Sequence, residues 1–283
     1  MPEAPSATSG VSASPGVPSA DLRAWSGTGE EPYRAALLRD SANAATARAI
    51  AMARQAATFE VPILLCGESG TGKSVLAFAI HDWSIRRAQP FVAVSCRGSQ
   101  LARRDLRGVT EVVSASPLDE ERKLRVPAGT LFLDEVGALS SDLQATLIRF
   151  LDEECAGTHG HPFGWGTRVI ASTSRDLEQD VREGRFRHDV FFRLNVVTIS
   201  LVPLRERPED LPQLVDDLLA TLCARHRRPR LRLAPRALAL LATYAWPGNV
   251  RELATVLEHA TVLARSETID VEDLPDRVFA LRR

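Results

Sequence analysis

The chain of 283 residues is 45% hydrophobic, which is enough to bury a sizeable core and to form one or two domains. Its 35 Lys and Arg residues are balanced by 36 Asp and Glu residues, so no bulk charge is present to attract a polyanion. No apolar run reaches membrane-spanning length, the N-terminus lacks the order of a signal peptide, and the four cysteines show no C-x-x-C spacing. We therefore expect a reduced, cytoplasmic protein with no membrane contact and no disulfide or zinc framework.

The N-terminal segment is dominated by small residues and proline. Of the first 20 residues, 15 are Pro, Ser, Ala or Gly, a composition that cannot build a packed core. We predict that residues 1–31 form a disordered tail. An Ala-rich segment with helical spacing follows, from Pro32 to about Ala57.

A glycine-rich loop comes next and is the most informative segment of the chain. It follows an apolar strand pattern, precedes a helical one, and fits the phosphate-binding pattern G-x-x-x-x-G-K-[ST] at every fixed position. The glycines let several backbone N–H groups point into one concavity, and the helix N-terminus adds a partial positive charge there. We predict that the loop binds a nucleoside triphosphate, with the lysine on the β- and γ-phosphates and the final serine hydroxyl on Mg²⁺; an ordinary glycine-rich turn is the alternative. The loop residues are Gly67, Glu68, Ser69, Gly70, Thr71, Gly72, Lys73 and Ser74.

Short apolar segments alternate with helical patterns up to about residue 201. This alternation predicts an α/β fold with a parallel sheet that is covered on both faces. The predicted strands are Val61–Cys66, Phe91–Cys96, Thr130–Leu133, Arg168–Ser172 and Val196–Leu201, and the predicted helices are Ser74–Arg86, Ser99–Leu106, Leu139–Glu153 and Asp176–Glu183.

After Pro208 the predicted strands stop and helical patterns take over. Each begins after a Pro or Pro-Gly break, and they cover Leu211–Arg225, Pro235–Tyr244 and Asn249–Ala264. The basic segment 225–232 lies between two of them and lacks interleaved aromatic side chains. We favour a solvated connector over a DNA contact for this segment.

Two acidic residues follow the apolar strand Thr130–Leu133. In P-loop nucleotide hydrolases such a strand lies beside the P-loop strand, and its first acid binds Mg²⁺. We predict this role for Asp134, and we predict that Glu135 polarises the attacking water as a general base. A strand that ends in a solvated acidic turn is the alternative.

Several longer motifs together resemble one protein family. They resemble the AAA+ domain of bacterial enhancer-binding proteins, the sigma-54-interacting transcription activators, over about residues 38–275. The motifs are GESGTGKS at Gly67–Ser74, GTLFLDE at Gly129–Glu135, FRHDVFFRLN at Phe186–Asn195, LRERPED at Leu204–Asp210 and WPGNVREL at Trp246–Leu253.

The resemblance implies an architecture and an activity. It implies an AAA+ P-loop fold with a five-stranded parallel sheet, the nucleotide-binding subdomain being residues 32–206 and a small all-helical lid residues 207–283. Family members are ring-forming, Mg²⁺-dependent ATPases in which a neighbouring subunit inserts arginines at the γ-phosphate. Arg187 and Arg193 stand at those arginine-finger positions, and Arg251 matches the sensor II arginine of the lid; taken singly, each could be a surface salt-bridge arginine. The implied assembly is a homo-oligomeric ring or a mixed ring with relatives.

The sequence departs from the family pattern at three places. Segment 106–123 contains no GAFTGA, the family's sigma-54-binding signature, and is polar and charged instead, so we do not expect this chain to activate sigma-54 promoters by itself. Ser95 and Ser174 replace asparagines that act in nucleotide sensing. Serine still forms hydrogen bonds, but with a shorter reach, so we expect hydrolysis with weaker or differently timed control.

Two hypotheses follow. In the first, the protein is an active ATPase that remodels a polymerase-associated partner during transcription regulation. In the second, it is a nucleotide-binding regulatory module that assembles with relatives and hydrolyses ATP slowly or not at all. We expect no DNA-binding domain in this chain, because no helix-turn-helix pattern follows residue 275.

Overall fold

The computed structural model describes residues 41–97, 129–155 and 166–279. The predicted tail over residues 1–31, the predicted helix Ser99–Leu106 and segment 106–123 lie outside the described residues. Within the described ranges, none of the helices is both long and apolar enough to cross a membrane.

Five parallel strands form the central sheet, as predicted. They are β1 (Ile63–Cys66), β2 (Phe91–Ser95), β3 (Thr130–Asp134), β4 (Arg168–Thr173) and β5 (Val197–Ser200). Their spatial order is β2-β3-β4-β1-β5, so the strand that precedes the glycine-rich loop lies next to β4 and β5. The expectation that the acidic strand β3 lies beside this strand is wrong, because β4 lies between them; the adjacency of strands is set by packing across the sheet and not by a local pattern. The carboxyl ends of parallel strands share one edge of the sheet, and this edge therefore carries the glycine-rich loop, the acidic pair and the serines after β4.

Helices cover both faces of the sheet. They are α1 (Ala44–Ala57), α2 (Lys73–Asp82), α3 (Ser141–Cys155), α4 (Leu177–Arg182) and α5 (His188–Leu194). Strand residues alternate between two apolar clusters: Leu64 packs with α3, α4 and α5, whereas its neighbours Ile63 and Leu65 pack with α1 and α2. The prediction of a sheet buried on both faces is therefore confirmed.

A third apolar cluster lies entirely within residues 204–278. It is built around helices α6 (Leu211–Arg225), α7 (Pro235–Thr243) and α8 (Asn249–Leu263). The prediction of an all-helical lid is corrected in one detail, because the two-residue strands β6 (Arg232–Leu233) and β7 (Thr268–Ile269) pair in parallel. Strands of two residues are too short to produce a recognisable period in the sequence.

Several residues of the basic segment 225–232 form contacts with helix α8 of the lid. Arg225 and His226 lie next to Glu258 of α8, and Arg228 donates to the carbonyls of Thr261 and Ala264 at the C-terminal end of that helix. A cation at a helix C-terminus stabilises the exposed carbonyls there. These contacts support the prediction of a connector.

The three cysteines with described side chains, Cys66, Cys96 and Cys223, are free thiols. Burial raises the pKa of Cys66 to about 11 and that of Cys96 to about 12. Both thiols therefore remain protonated at neutral pH.

Candidate functional site

The glycine-rich loop requires glycine at the positions where its backbone turns. Gly67, Gly70 and Gly72 have φ values of 146°, 80° and 108°. A Cβ atom at Gly67 would lie 2.6 Å from the Leu201 carbonyl oxygen, and one at Gly70 would lie 2.2 Å from the Gly248 carbonyl oxygen. The loop therefore passes against Leu201, the residue after β5, and against the lid, without room for side chains at Gly67 and Gly70.

Lys73 is the first residue of α2, and its side chain is only 5% exposed. Its Nζ donates to the carbonyl oxygens of Gly67 at 2.7 Å and Glu68 at 3.0 Å, so the side chain folds back along the loop. Nζ also lies 3.0 Å from Glu135 Oε1. The ammonium group is thus held at the centre of the loop, where a phosphate chain would pass.

The two acidic residues at the end of β3, Asp134 and Glu135, are both hydrogen-bonded to Ser172 of β4. Asp134 Oδ1 accepts a hydrogen bond from Ser172 Oγ at 2.6 Å, and the same Oγ accepts one from the Glu135 backbone N–H at 3.0 Å. Glu135 has a φ of 63°, in the left-handed region that non-glycine residues seldom adopt. Such a conformation persists only where the surroundings impose it, and it frequently marks a functional position.

The Glu135 carboxylate is engaged at both oxygens. Oε1 lies 3.0 Å from Lys73 Nζ and 3.1 Å from a guanidinium nitrogen of Arg97. Oε2 accepts from the backbone N–H of Ser174 at 2.9 Å and from its hydroxyl at 2.7 Å. Burial by itself raises the pKa of Glu135, but the Ser174 hydrogen bond and the Lys73 charge outweigh burial and hold this pKa below its ordinary value. Glu135 is therefore ionised at neutral pH.

A cavity of about 160 Å³ lies between the glycine-rich loop, the ends of β2 and β3, and the start of α8. It brings together eight residues that the sequence analysis placed at the nucleotide: Ser69, Gly70, Gly72, Lys73, Ser74, Asp134, Glu135 and Arg251. Its complete lining is Ser69, Gly70, Gly72, Lys73, Ser74, Val75, Arg97, Asp134, Glu135, Val250, Arg251, Ala254 and Thr255.

The cavity offers ligands of the kind that Mg²⁺ prefers. The Ser74 hydroxyl and the Asp134 carboxylate both line it and are hard oxygen donors. The described part of the chain contains no cluster of three or more His, Cys, Asp or Glu residues suited to a metal. A magnesium ion bound with a nucleotide takes one or two protein oxygens and completes its shell with phosphate and water, so this donor pair fits the ion.

The lid contacts the glycine-rich loop directly through the start of α8. The Val250 backbone N–H donates to the Gly70 carbonyl at 3.0 Å, and Asn249 Nδ2 donates to the Ser69 carbonyl at 3.1 Å. Arg251 donates to Ser69 Oγ at 3.2 Å and lines the cavity. The predicted sensor II arginine therefore lines the same cavity as Lys73 and Glu135.

Sequence reasoning did not single out the contact between Glu68 and Arg205. Arg205 donates to both carboxylate oxygens of Glu68, at 2.9 and 2.7 Å, and Asn249 Nδ2 adds a third bond at 3.1 Å. These hydrogen bonds, that of Arg205 first, hold the pKa of Glu68 below its ordinary value. Arg205 belongs to the quoted motif Leu204–Asp210, but a motif does not reveal which loop residue an arginine meets.

The two predicted arginine fingers lie away from the cavity of their own chain. Arg187 forms a two-point ion pair with Asp189, at 3.0 and 2.7 Å, and Arg193 pairs with Asp152. Both side chains are close to half exposed. Their placement on and next to α5 leaves them accessible from outside the chain.

The two predicted sensing serines differ in their placement. Ser174 contacts Glu135, as described above. Ser95 lies beside Asp134 in the register of β2 and β3, but it is exposed and does not line the cavity. Its predicted role stays a prediction.

The fold and this site define a P-loop protein of the AAA+ class. Residues 40–200 match the family described as "Sigma-54 interaction domain", and residues 205–282 match "AAA+ ATPase lid domain". The chain therefore belongs to the sigma-54 interaction domain family, and the predicted resemblance is confirmed.

Individual relatives agree with this assignment. The chain is 39% identical over 241 residues to the alginate biosynthesis transcriptional regulatory protein AlgB of Pseudomonas putida, covering 83% of this chain and 54% of AlgB. It is 40% identical over 225 residues to the regulatory protein AtoC of Escherichia coli, covering 77% of this chain and 49% of AtoC. The chain thus spans about half the length of the curated relatives it matches.

Solved structures of NtrX from Brucella abortus have the same fold. The complex of NtrX with ATP superposes with a TM-score of 0.70 at 29% identity, over 84% of this chain and 54% of NtrX. The complex of NtrX with ADP gives a TM-score of 0.69 at 28% identity, over 84% of this chain and 55% of NtrX.

Proposed function

We propose that this chain binds ATP together with Mg²⁺ and hydrolyses it at the interface between subunits of an oligomer, as the ATPase part of a transcription regulator. The observation that carries the proposal is the convergence of Lys73, Ser74, Asp134, Glu135 and Arg251 on one cavity. Family membership and the nucleotide complexes of NtrX support it.

Each residue of the site has a chemical task in this proposal. Loop N–H groups and Lys73 bind the phosphates, and Lys73 exchanges its contacts with the loop carbonyls and Glu135 for phosphate oxygens. Ser74 and Asp134 would hold Mg²⁺, and the ion would supply positive charge that offsets the charge on the phosphates. Glu135 accepts a proton from the attacking water, and Ser174 orients its carboxylate.

The arginines outside the cavity complete the proposed site in a neighbouring subunit. A guanidinium that contacts the transferred phosphoryl group stabilises its developing charge, and this is worth about 10³–10⁵ in rate where it has been measured. Arg187 and Arg193 are exposed and lie outside their own cavity, an arrangement that suits a contribution in trans. The ring is proposed to be homo-oligomeric or mixed with relatives.

The test of nucleotide binding is a charge-removing substitution in the loop. Lys73→Ala should weaken ATP affinity at least about tenfold, or about 1.4 kcal/mol, by calorimetry. Arg182→Ala, which removes an exposed cation of α4 outside the cavity, is the matched control and should bind ATP like the wild type. Unchanged ATP affinity in Lys73→Ala would refute the site.

The second candidate function is a nucleotide-binding regulatory module that does not remodel a partner. It is favoured by the sequence of segment 106–123, where no GAFTGA occurs. A purified wild-type protein that binds ATP but shows no turnover at any protein concentration would favour this second function over the first.

A further inference from the structure

Arg97 is a cavity residue to which the proposed reaction assigns no task. It follows β2 by two positions, and its side chain is 53% exposed. Its guanidinium nitrogen lies 3.1 Å from Glu135 Oε1, the same oxygen that Lys73 Nζ approaches at 3.0 Å.

One carboxylate oxygen therefore has two cationic partners, Lys73 and Arg97, whereas a single cation would neutralise the one negative charge of Glu135. The other oxygen, Oε2, is already occupied by both donors of Ser174. Among the described residues that line the cavity, three are cations (Lys73, Arg97 and Arg251) and two are carboxylates (Asp134 and Glu135). The surplus positive charge suits a polyphosphate, and a guanidinium can bind phosphate oxygens with two parallel hydrogen bonds.

The position of Arg97 identifies which phosphate it can meet. In the proposed function Glu135 activates the water that attacks the terminal phosphate, so the Glu135 carboxylate marks that end of the cavity. Arg97 touches this carboxylate, whereas Arg251 contacts Ser69 of the loop. Arg97 is therefore at the terminal-phosphate end.

We infer that Arg97 binds the terminal phosphate of the nucleoside triphosphate from within the same chain, and that it leaves Glu135 when it does so. The inference rests on the proposed function. Without a terminal phosphate, Arg97 stays paired with Glu135 and occupies the oxygen that would accept the proton. With a triphosphate bound, the more highly charged phosphate takes the guanidinium and frees Oε1. Arg97 is thus a specificity-determining residue that distinguishes triphosphate from diphosphate by direct contact.

Binding measurements without turnover test this inference. Calorimetry with a non-hydrolysable ATP analogue and with ADP, both with Mg²⁺, should show that Arg97→Ala weakens analogue binding at least about tenfold while ADP binding changes less than about twofold. Arg97→Lys should recover part of the loss, and Arg182→Ala should bind both nucleotides like the wild type. Because Arg97 is half exposed, its removal leaves no buried cavity, and thermal unfolding can verify that the variant folds.

A second substitution tests the exchange between Glu135 and phosphate. Glu135→Gln removes the competing charge, so the preference for the analogue over ADP should rise in this variant. The rise should disappear in the double variant with Arg97→Ala. An equal rise in both backgrounds would contradict the exchange.

The outcomes separate this inference from the function on which it rests. If the wild type binds neither nucleotide, the proposed function and the inference both fail. If the wild type binds both, Lys73→Ala weakens both, and Arg97→Ala leaves the preference for the analogue unchanged, only the inference fails.

Discussion

At the scale of single residues, Glu135 is a buried side chain that carries a negative charge, and hydrogen bonds from Ser174 stabilise that charge. The Glu135 side chain is 6% exposed, and burial raises its pKa, but the Ser174 hydrogen bonds and the Lys73 charge outweigh burial and keep this pKa below its ordinary value. A buried carboxylate without such partners would be protonated instead. Ser174 therefore anchors the Glu135 carboxylate through its hydroxyl and its backbone N–H.

The Ser174 hydroxyl should also make stability depend on pH. The pKa of Glu135 is lowered in the folded chain, so this carboxylate stabilises the fold above its unfolded pKa, and the stabilisation is lost as the pH falls through the folded pKa. Ser174→Ala should lower the free energy of unfolding by about 1 kcal/mol at pH 7, with a smaller difference below about pH 4.

Urea denaturation at several pH values measures this difference. Ser200→Ala, at an exposed position at the end of β5, is the control and should show no pH-dependent difference from the wild type. The same loss for Ser174→Ala at pH 7 and in acid would show that the hydroxyl does not act through the Glu135 charge. In turnover, the acid limb of the pH profile should move to higher pH in Ser174→Ala, because the pKa of Glu135 rises.

At the scale of elements, the glycine-rich loop and the first turn of α8 form one unit. Gly70 accepts from Val250, Asn249 donates to Ser69, and the Asn249 side chain also accepts from the Leu204 N–H at 2.8 Å. Asn249 is fully buried, so these hydrogen bonds are shielded from water. The lid therefore rests on the loop that would hold the phosphates.

Gly70→Ala should disrupt the contact between the glycine-rich loop and the first turn of α8. The new Cβ would lie 2.2 Å from the Gly248 carbonyl, and the φ of 80° would add backbone strain. We expect a loss of about 2 kcal/mol or more in the free energy of unfolding, with weakened ATP binding.

Gly184→Ala provides a matched control for this substitution. Gly184 has a φ of 71°, and no atom lies within 4 Å of an added Cβ. The free energy of unfolding of Gly184→Ala should therefore fall by about 1 kcal/mol, from backbone strain alone. Equal losses for the two variants in chemical denaturation would mean that the approach to Gly248 carries no energetic weight.

At the scale of the whole molecule, one chain holds an incomplete version of the proposed hydrolytic site. Its cavity contains the phosphate-binding, metal-binding and base residues, while Arg187 and Arg193 lie elsewhere on the surface. An oligomer in which one subunit's α5 approaches the next subunit's cavity would bring them together. Turnover should then depend on assembly.

Mixing two inactive variants tests this dependence. Arg193→Ala lacks the arginine and Glu135→Gln lacks the base, but about a quarter of randomly mixed interfaces would pair an intact base with an intact arginine. Turnover should therefore return partly on mixing, and wild-type activity per subunit should rise with protein concentration. A flat activity per subunit from nanomolar to tens of micromolar protein would show a self-contained site.

The expectation that this chain does not activate sigma-54 promoters by itself is also tested with the whole molecule. ATP turnover shifts a partner's equilibrium only if the contact with that partner differs between nucleotide states. Because segment 106–123 lacks GAFTGA, we expect no open-complex formation by this chain with sigma-54 polymerase and ATP in a purified transcription assay. A relative that carries GAFTGA is the positive control, and open complexes formed by this chain alone would contradict the expectation.

The sequence by itself determined the parallel sheet, the nucleotide loop, the acidic strand end and the family. Each of those features is recognised from short segments: single apolar strands and helical patterns, the spacing from Gly67 to Ser74, the two acids after Leu133, and motifs of a few residues each. The five predicted strands differ from the observed ones by at most two residues at either end.

Only the tertiary structure decided which side chains meet. Glu68 and Arg205 are 137 residues apart in the chain, Glu135 and Ser174 are 39 apart, and Gly70 touches the lid near Gly248. Arg97 carries no signal in the sequence, because a single arginine after a strand is most often a solvated surface residue. Its place at Glu135 depends on the adjacency of β2 and β3, which is set by packing across the whole sheet and by no local pattern.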